Sequence, residues 1–338
     1  DLDFIIDVVL LFRPSIIRPR EGYSNVNIYA MYKSYLKTGW RNLIRNKGYS
    51  LINIGGLATG MAVTLLIGLW VYDELSFNKY FDNYERIAQV KQHQVNNGEI
   101  QTWSSMPYPL AAELRENYAA DFRHIVMGTQ RVDNLLQYEN IKLKKSGMFF
   151  EPGAPEMFSL KMVYGDHGGL REPASIMLSA SGAQVFFGNA DPVGKMIRLE
   201  NQADVKVTGV YEDIPETTDF AGLQFMSTWE LIFNAYGLKD LPDPWRPNSF
   251  LLFVQLNENV SFEKASSRIK DAKLKKVNEQ LAKKKPELFL HPMVKWHLYS
   301  EFENGVNVGG GIQHIWLFGT VGAAVLILAC INFINLST

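Results

Sequence analysis

Two long stretches without a single Asp, Glu, Lys or Arg bracket this chain, residues 48–72 and 305–338. Each holds a run long enough to cross a hydrocarbon layer roughly 30 Å thick, which takes about 20 helical residues. Between them lies a polar block, residues 73–304, long enough to fold into one or two domains. The pattern predicts an α+β membrane protein, with two transmembrane helices flanking a large domain on one side of the bilayer. Whole-chain averages conceal this. The net charge is −1 and the mean hydropathy −0.09, because the apolar residues are gathered into the two stretches.

A near-neutral chain gives no reason to expect nucleic acid as a partner. The single cysteine, Cys330, lies in the second apolar stretch. Disulfides and cysteine-ligated metals are therefore excluded from the polar block, while an oxidising compartment is not. The chain begins with Asp1, Met31 is an alternative start, and Thr338 directly follows an apolar helix. A membrane helix ordinarily runs on into a polar flank, so a fragment of a longer protein is expected.

The first membrane helix is expected over 49–72. Its Gly56 and Gly60 form a GxxxG-type pair that Thr64 extends, a face able to seat another helix, although the pattern alone is a weak signal. Lys33, Lys37, Arg41, Arg45 and Lys47 precede it with no acid among them, and Asp73 and Glu74 follow. This asymmetry puts the preceding segment in the cytoplasm and the polar block outside. The second helix, 312–338, returns the chain, with Asn332 and Asn335 near its inner end as candidates for hydrogen bonds. Residues 31–48 place basic side chains every four residues beside Leu36, Trp40, Leu43 and Ile44. That spacing makes a basic amphipathic helix at the inner membrane surface. It is either an anchor or a piece that receives contact from a cytoplasmic partner. Residues 1–30 read as the end of an upstream cytoplasmic element.

Within the polar block, 73–83 forms a stalk in which Phe77, Tyr80, Phe81 and Tyr84 suit a stiff helix continuation. A strand at 86–94, a helix after Pro107 and a strand at 122–127 give a β-α-β order. A strand at 250–256, one helix over 262–284 and a strand from 288 repeat it. The two units, 84–132 and 250–304, pair into one α/β subdomain around an inserted β-rich subdomain at 133–249. Strands are expected there at 141–144, 195–199 and 205–210, with a short helix through Ala183 and Phe186.

No catalytic constellation is present in the sequence. There is no P-loop lysine motif, no HExxH and no GxSxG around Ser179 or Ser181. His291 and His297 are a candidate metal pair or, more simply, packing histidines. Asp213, Glu216 and Asp219 mark an acidic turn with too sparse an oxygen pattern for a calcium loop. Trp229 and Trp245, with Phe220, Phe225 and Tyr236, either frame an outer groove for cargo or a partner or pack in the core. No cofactor and no metal are expected.

Several segments carry a family resemblance. They are Tyr35-Leu36-Lys37-Thr38-Gly39-Trp40-Arg41-Asn42-Leu43, Ile52-Asn53-Ile54-Gly55-Gly56-Leu57 and Tyr72-Asp73-Glu74-Leu75-Ser76-Phe77-Asn78. Further on come Phe186-Phe187-Gly188, Asp191-Pro192-Val193-Gly194-Lys195, Val207-Thr208-Gly209-Val210-Tyr211-Glu212-Asp213-Ile214-Pro215 and Ile331-Asn332-Phe333-Ile334-Asn335-Leu336. Together they resemble the permease subunits of ABC transporters of the macrolide-exporter and lipoprotein-release type. These are FtsX-like permeases with a MacB-like periplasmic core domain, here similar to the long form common in Bacteroidetes. The Leu178-Ser179-Ala180-Ser181 and Thr217-Thr218-Asp219-Phe220 segments depart from the family pattern.

The resemblance implies a porter-like α/β subdomain, a β-rich companion, and a bacterial inner-membrane location with 73–311 mainly periplasmic. It implies no intrinsic catalysis, because a separate cytoplasmic ABC ATPase dimer hydrolyses ATP. A second permease half or a homodimer, and a periplasmic adaptor or outer-membrane component, are the other implied partners. Trp40, Arg41, Arg45, Asp73, Phe77 and Phe81 are the expected coupling residues, and replacing Phe77 and Phe81 with glycine is expected to uncouple the outer domain from ATP turnover. The alternative function is a transmembrane sensor or regulatory protein with a periplasmic sensing domain.

Overall fold

The computed structural model describes residues 28–45 and 47–337. The expected upstream element at 1–30 lies outside the described residues as far as residue 27. So do Asn46 and Thr338, and the side chains of Asn42, Leu43 and Asn335.

In chain order, helices α1 (Ile28–Arg45) and α2 (Lys47–Leu75) come first, then strands β1 (Ile87–Asn96), β2 (Glu99–Trp103) and β3 (Ser105–Met106). Helix α3 (Pro109–Asn117) and strands β4 (Phe122–Gly128), β5 (Val132–Tyr138) and β6 (Ile141–Phe150) follow. Next are α4 (Ala154–Met157), β7 (Met162–Gly165), β8 (Ser175–Ser179), α5 (Ala180–Phe187), β9 (Met196–Leu199) and β10 (Ala203–Tyr211). After β11 (Phe225–Thr228) come α6 (Trp229–Ala235), β12 (Phe250–Leu256), α7 (Phe262–Ile269), α8 (Glu279–Ala282) and β13 (Glu287–Pro292). The hairpin β14 (Glu301–Glu303) and β15 (Val306–Gly309) leads into α9 (Gly311–Ser337).

Two compact units divide the chain, one running to Leu65 and resuming at Gly322, the other Leu66–Val321. In the first, α2 meets the end of α9. A Cβ on Gly60 would lie 2.9 Å from the Ala329 Cβ, and one on Gly56 would lie 3.5 Å from Asn332 Nδ2. Thr64 Oγ1 donates to the Gly60 carbonyl at 2.9 Å and lies 3.3 Å from the Gly322 carbonyl. The helices cross the membrane over Lys47–Leu75 and Gly311–Ile334, stretches long and apolar enough to span it.

In the second unit, β4, β12, β1 and β13 form an antiparallel sheet in that order. Two β-α-β units joined in this order make the ferredoxin-like arrangement. One face carries Ala88, Val90, Met127, Leu252, Val254, Leu288 and Leu290, which pack on Leu110, Ala111 and Leu114 of α3 and Ala265 and Ile269 of α7. Strand periodicity turns the alternate residues Ile87, Val126, Leu251 and Phe253 to the opposite face and a second core. Helix α3 starts on Pro109, where the missing amide costs nothing, and Ser261 caps α7 by accepting from Lys264 N.

The chain between β4 and β12 builds a barrel. Strands β6, β5, β9, β10, β8 and β11 pair in sequence, and β11 closes the ring on β6. Closure leaves these strands with no open edge along the ring. Leu136, Phe149, Ile176, Leu178, Ile197, Val205, Val207 and Phe225 fill it, with Phe186 of α5 packed against them. Gly147 lies under the Phe225 ring, which any Cβ there would overlap. Two membrane-spanning helices thus flank a mixed α/β domain with a closed barrel-like sheet.

Two expectations fail locally. The helix expected over 262–284 stops at Ile269, because the Lys270 carbonyl accepts from Leu288 N of β13 instead of a helical amide. Asn278 then caps the separate turn α8. The stalk is not a helix through residue 84 either. Helix α2 ends at Leu75, turns follow, and Asn78 takes φ +64, where its amide donates to the Thr217 carbonyl at 2.9 Å.

Candidate functional site

Three separate segments meet where α2 ends. Asn78 is almost fully buried, and its side chain joins them. Its Nδ2 donates to Asp219 Oδ2 at 2.6 Å and to the Met293 carbonyl at 3.3 Å, while its Oδ1 accepts from Asp219 N at 2.9 Å. An asparagine suits this position because it tolerates left-handed backbone and offers both a donor and an acceptor. One helical turn earlier, Glu74 Oε2 lies 2.6 Å from His297 Nε2. The imidazole also stacks on Phe77, with ring centroids 3.6 Å apart and planes 8° from parallel. The exit of α2, the 217–221 turn and the 291–298 return are therefore fastened to each other by side chains.

The electrostatics of this joint centre on Asp219. Burial raises its carboxyl above the usual range, opposed by the Asn78 hydrogen bond and by the charges of His297, Lys91 and Arg131. Arg131 brackets the same turn by donating to the Ala221 carbonyl at 2.7 Å and the Asp219 carbonyl at 3.1 Å. Chemically the arrangement is a clamp, able to hold segments in register and to carry displacement between them.

The expected coupling residues are placed differently from one another. Trp40, Arg41 and Arg45 lie exposed on α1. Asp73 is exposed, and its carbonyl accepts from Ser76 N. Phe77 is half-buried on His297. Phe81 is fully buried, with Phe158 and Phe220 rings each 5.8 Å away. Gly56 and Gly60 lie on the side of α2 that faces α9. The aromatic groove is not assembled. Phe220 packs with Phe81 and Phe253, whereas Trp229 and Trp245 pack on the helix-covered face of the sheet, Trp229 edge-on to Phe250 at 4.6 Å. Phe225 is inside the barrel and Tyr236 is exposed.

His291 and His297 also part company. His291 is buried, and burial, with the charges of Lys91 and Lys295, holds its pKa down to about 3. Among the described residues no group of three or more His, Cys, Asp or Glu is placed to hold a metal ion. Ser179 caps α5 through Gly182 N, and Ser181 Oγ donates to Asp213 Oδ1 at 2.7 Å. Sequence reasoning missed Asn78, Lys91, Arg131 and Trp296 as site residues. The only local cue was Asn78, a turn-forming residue that breaks the aromatic stripe.

Residues 50–272 match the family described as the MacB-like periplasmic core domain. The chain belongs to this family. It is therefore an inner-membrane protein whose large domain is periplasmic, consistent with the permease component of an ABC transporter. Core domains of this type are not catalytic, and their permeases typically pair with a cytoplasmic ATPase and sometimes an adaptor.

A crystal structure of a domain from a Porphyromonas gingivalis protein, provisionally assigned as a permease, shares the fold. The TM-score is 0.53 at 20% identity, covering 63% of this chain and 91% of that one. The periplasmic region of MacB from Actinobacillus actinomycetemcomitans aligns at TM-score 0.41 and 14% identity, over 61% of this chain and 88% of that one. The extracellular domain of the noncanonic ABC-type transporter YknZ from Gram-positive bacteria gives 0.40 and 14%, over 61% and 99%. No curated protein matches the chain.

Proposed function

We propose that the chain is part of the permease of an ATP-driven exporter of the long form, in which each half has its own periplasmic domain. A cytoplasmic ATPase dimer drives the membrane helices, and the periplasmic domain expels or passes on a peptide, a small hydrophobic compound or a lipoprotein. A second permease half or a second copy, and a periplasmic adaptor or outer-membrane component, complete the assembly. Trp40, Arg41 and Arg45 on α1 are the proposed cytoplasmic contact, Asp73, Phe77 and Phe81 the coupling path, and Gly56 and Gly60 the helix-packing face.

The observation that carries this reading is the Asn78 clamp. The end of α2 and the turn that follows it are bonded, through Glu74, Phe77 and Asn78, to the turn of the inserted barrel and to the return strand's exit. Movement of that helix end thus reaches both parts of the domain through short side-chain contacts. In the intact permease with its ATPase, Asn78→Ala is expected to leave ATP hydrolysis running while cargo release into the periplasm is lost. Cargo release at the unsubstituted rate, with equal protein in the membrane, would sink the proposal.

A further inference from the structure

The sheet face opposite α3 and α7 opens beside the barrel into a cleft of about 420 Å³. Its apolar wall includes Phe220, Phe253 and Trp296, whose rings pack together with centroids 5.7–6.2 Å apart. Lys91, Arg131 and Asp219 also line it.

The three charged residues are not equivalent. The Asp219 carboxylate already accepts from Asn78, inside the clamp. Arg131 donates to two backbone carbonyls and, among the described residues, makes no ion pair. Lys91, on β1, is half-buried, and among the described residues its ammonium has neither a hydrogen bond nor an ion pair. It lies over the Phe302 ring, 5.2 Å from nitrogen to centroid. Burial lowers its pKa, against the attraction of Asp219. Two cations facing one carboxylate that Asn78 already engages, beside an aromatic wall, complement a molecule with a negative head and an apolar body.

We propose that this cleft binds a small amphipathic carboxylate, its head at Lys91 and Arg131 and its apolar body against Phe220, Phe253 and Trp296. The site stands on its own geometry and does not depend on the transport reading.

The test is equilibrium dialysis of radiolabelled octanoate against the full chain in phosphatidylcholine nanodiscs, with empty nanodiscs as the blank and neither ATP nor ATPase present. Saturable binding is expected, with octyltrimethylammonium not competing. Lys91→Met should weaken octanoate about tenfold or more, the scale of one charged hydrogen bond, and Lys91→Arg should retain it. Equal binding by K91M, equal competition by the cation, or no saturable uptake would each overturn the proposal. The comparison of octanoate with the cation uses the unaltered chain, so it decides the matter even if K91M folds poorly. Because no ATPase is present, failure here leaves the export proposal to its own test at Asn78.

Discussion

At the scale of single residues, Phe77 and Phe81 show how neighbours in one aromatic stripe acquire different duties. Phe81 is fully enclosed by Phe158, Phe220 and the rest of that core. Truncating such a ring costs about 3–5 kcal/mol. Phe81→Ala should therefore lower the unfolding free energy of the purified chain by that amount, as read from denaturant titration, and a change under about 1 kcal/mol would contradict the packing described. Replacing both rings by glycine consequently tests folding before it tests coupling. Phe77, half-buried and stacked on His297, is the better probe of the clamp. Removal of such a contact costs roughly 0.5–1.5 kcal/mol beyond its area. Asn78 is different again, because its loss leaves the Asp219 carboxylate and amide and the Met293 carbonyl without their side-chain partner.

Among the elements, the strands with near-continuous apolar runs were legible in the sequence. β12 is one such strand, with Leu252 and Val254 facing the helices and Leu251 and Phe253 facing away. So were the membrane helices, since nothing but length and lack of charge defines them. What the sequence did not disclose depends on distant partners. The break after Ile269 exists because Leu288, far along the chain, captures the Lys270 carbonyl. Closure of the barrel rests on β11 lying parallel to β6, a pairing with no local signature. The clamp needed Asn78, Asp219 and Met293 to be brought together, and only the fold does that. The membrane helices offer their own test. Gly60→Val would force α2 off Ala329, whereas a Cβ at Gly55 meets nothing within 4 Å. Gly60→Val is expected to cost about 1–3 kcal/mol by overpacking, and Gly55→Val little. Equal stability of the two variants in bicelles would show that this helix contact is unimportant.

For the molecule as a whole, two buried bases shape stability against pH. His291 is held neutral in the fold, its pKa down from 6.5 to about 3. Below pH 6.5 the unfolded chain takes up a proton that the folded chain refuses, so stability should fall from about pH 6.5 towards 3. Lys273, buried between Gln92 Oε1 and Asn248 Oδ1 at 2.6 Å each, is lowered by burial from 10.5 to about 8. Between about pH 8 and 10.5 the unfolded chain holds the extra proton, so this lysine makes stability rise with pH across that window. Unfolding measured from pH 4 to 10 should show both slopes, with His291→Gln flattening the acid limb and Lys273→Met the alkaline one. Unchanged slopes would contradict the burial of these bases. A last consequence follows from β4 and β12 being antiparallel neighbours, with Gly128 opposite Leu251. Such strands can be joined by a two-residue hairpin. Topologically, then, the entire barrel is an overgrown hairpin loop. Its sequence is free to diversify, or to be exchanged for another, so long as it still covers Leu251 and Phe253 and keeps a turn that can pair with Asn78 as the 217–221 turn does, while the sheet keeps the same wiring.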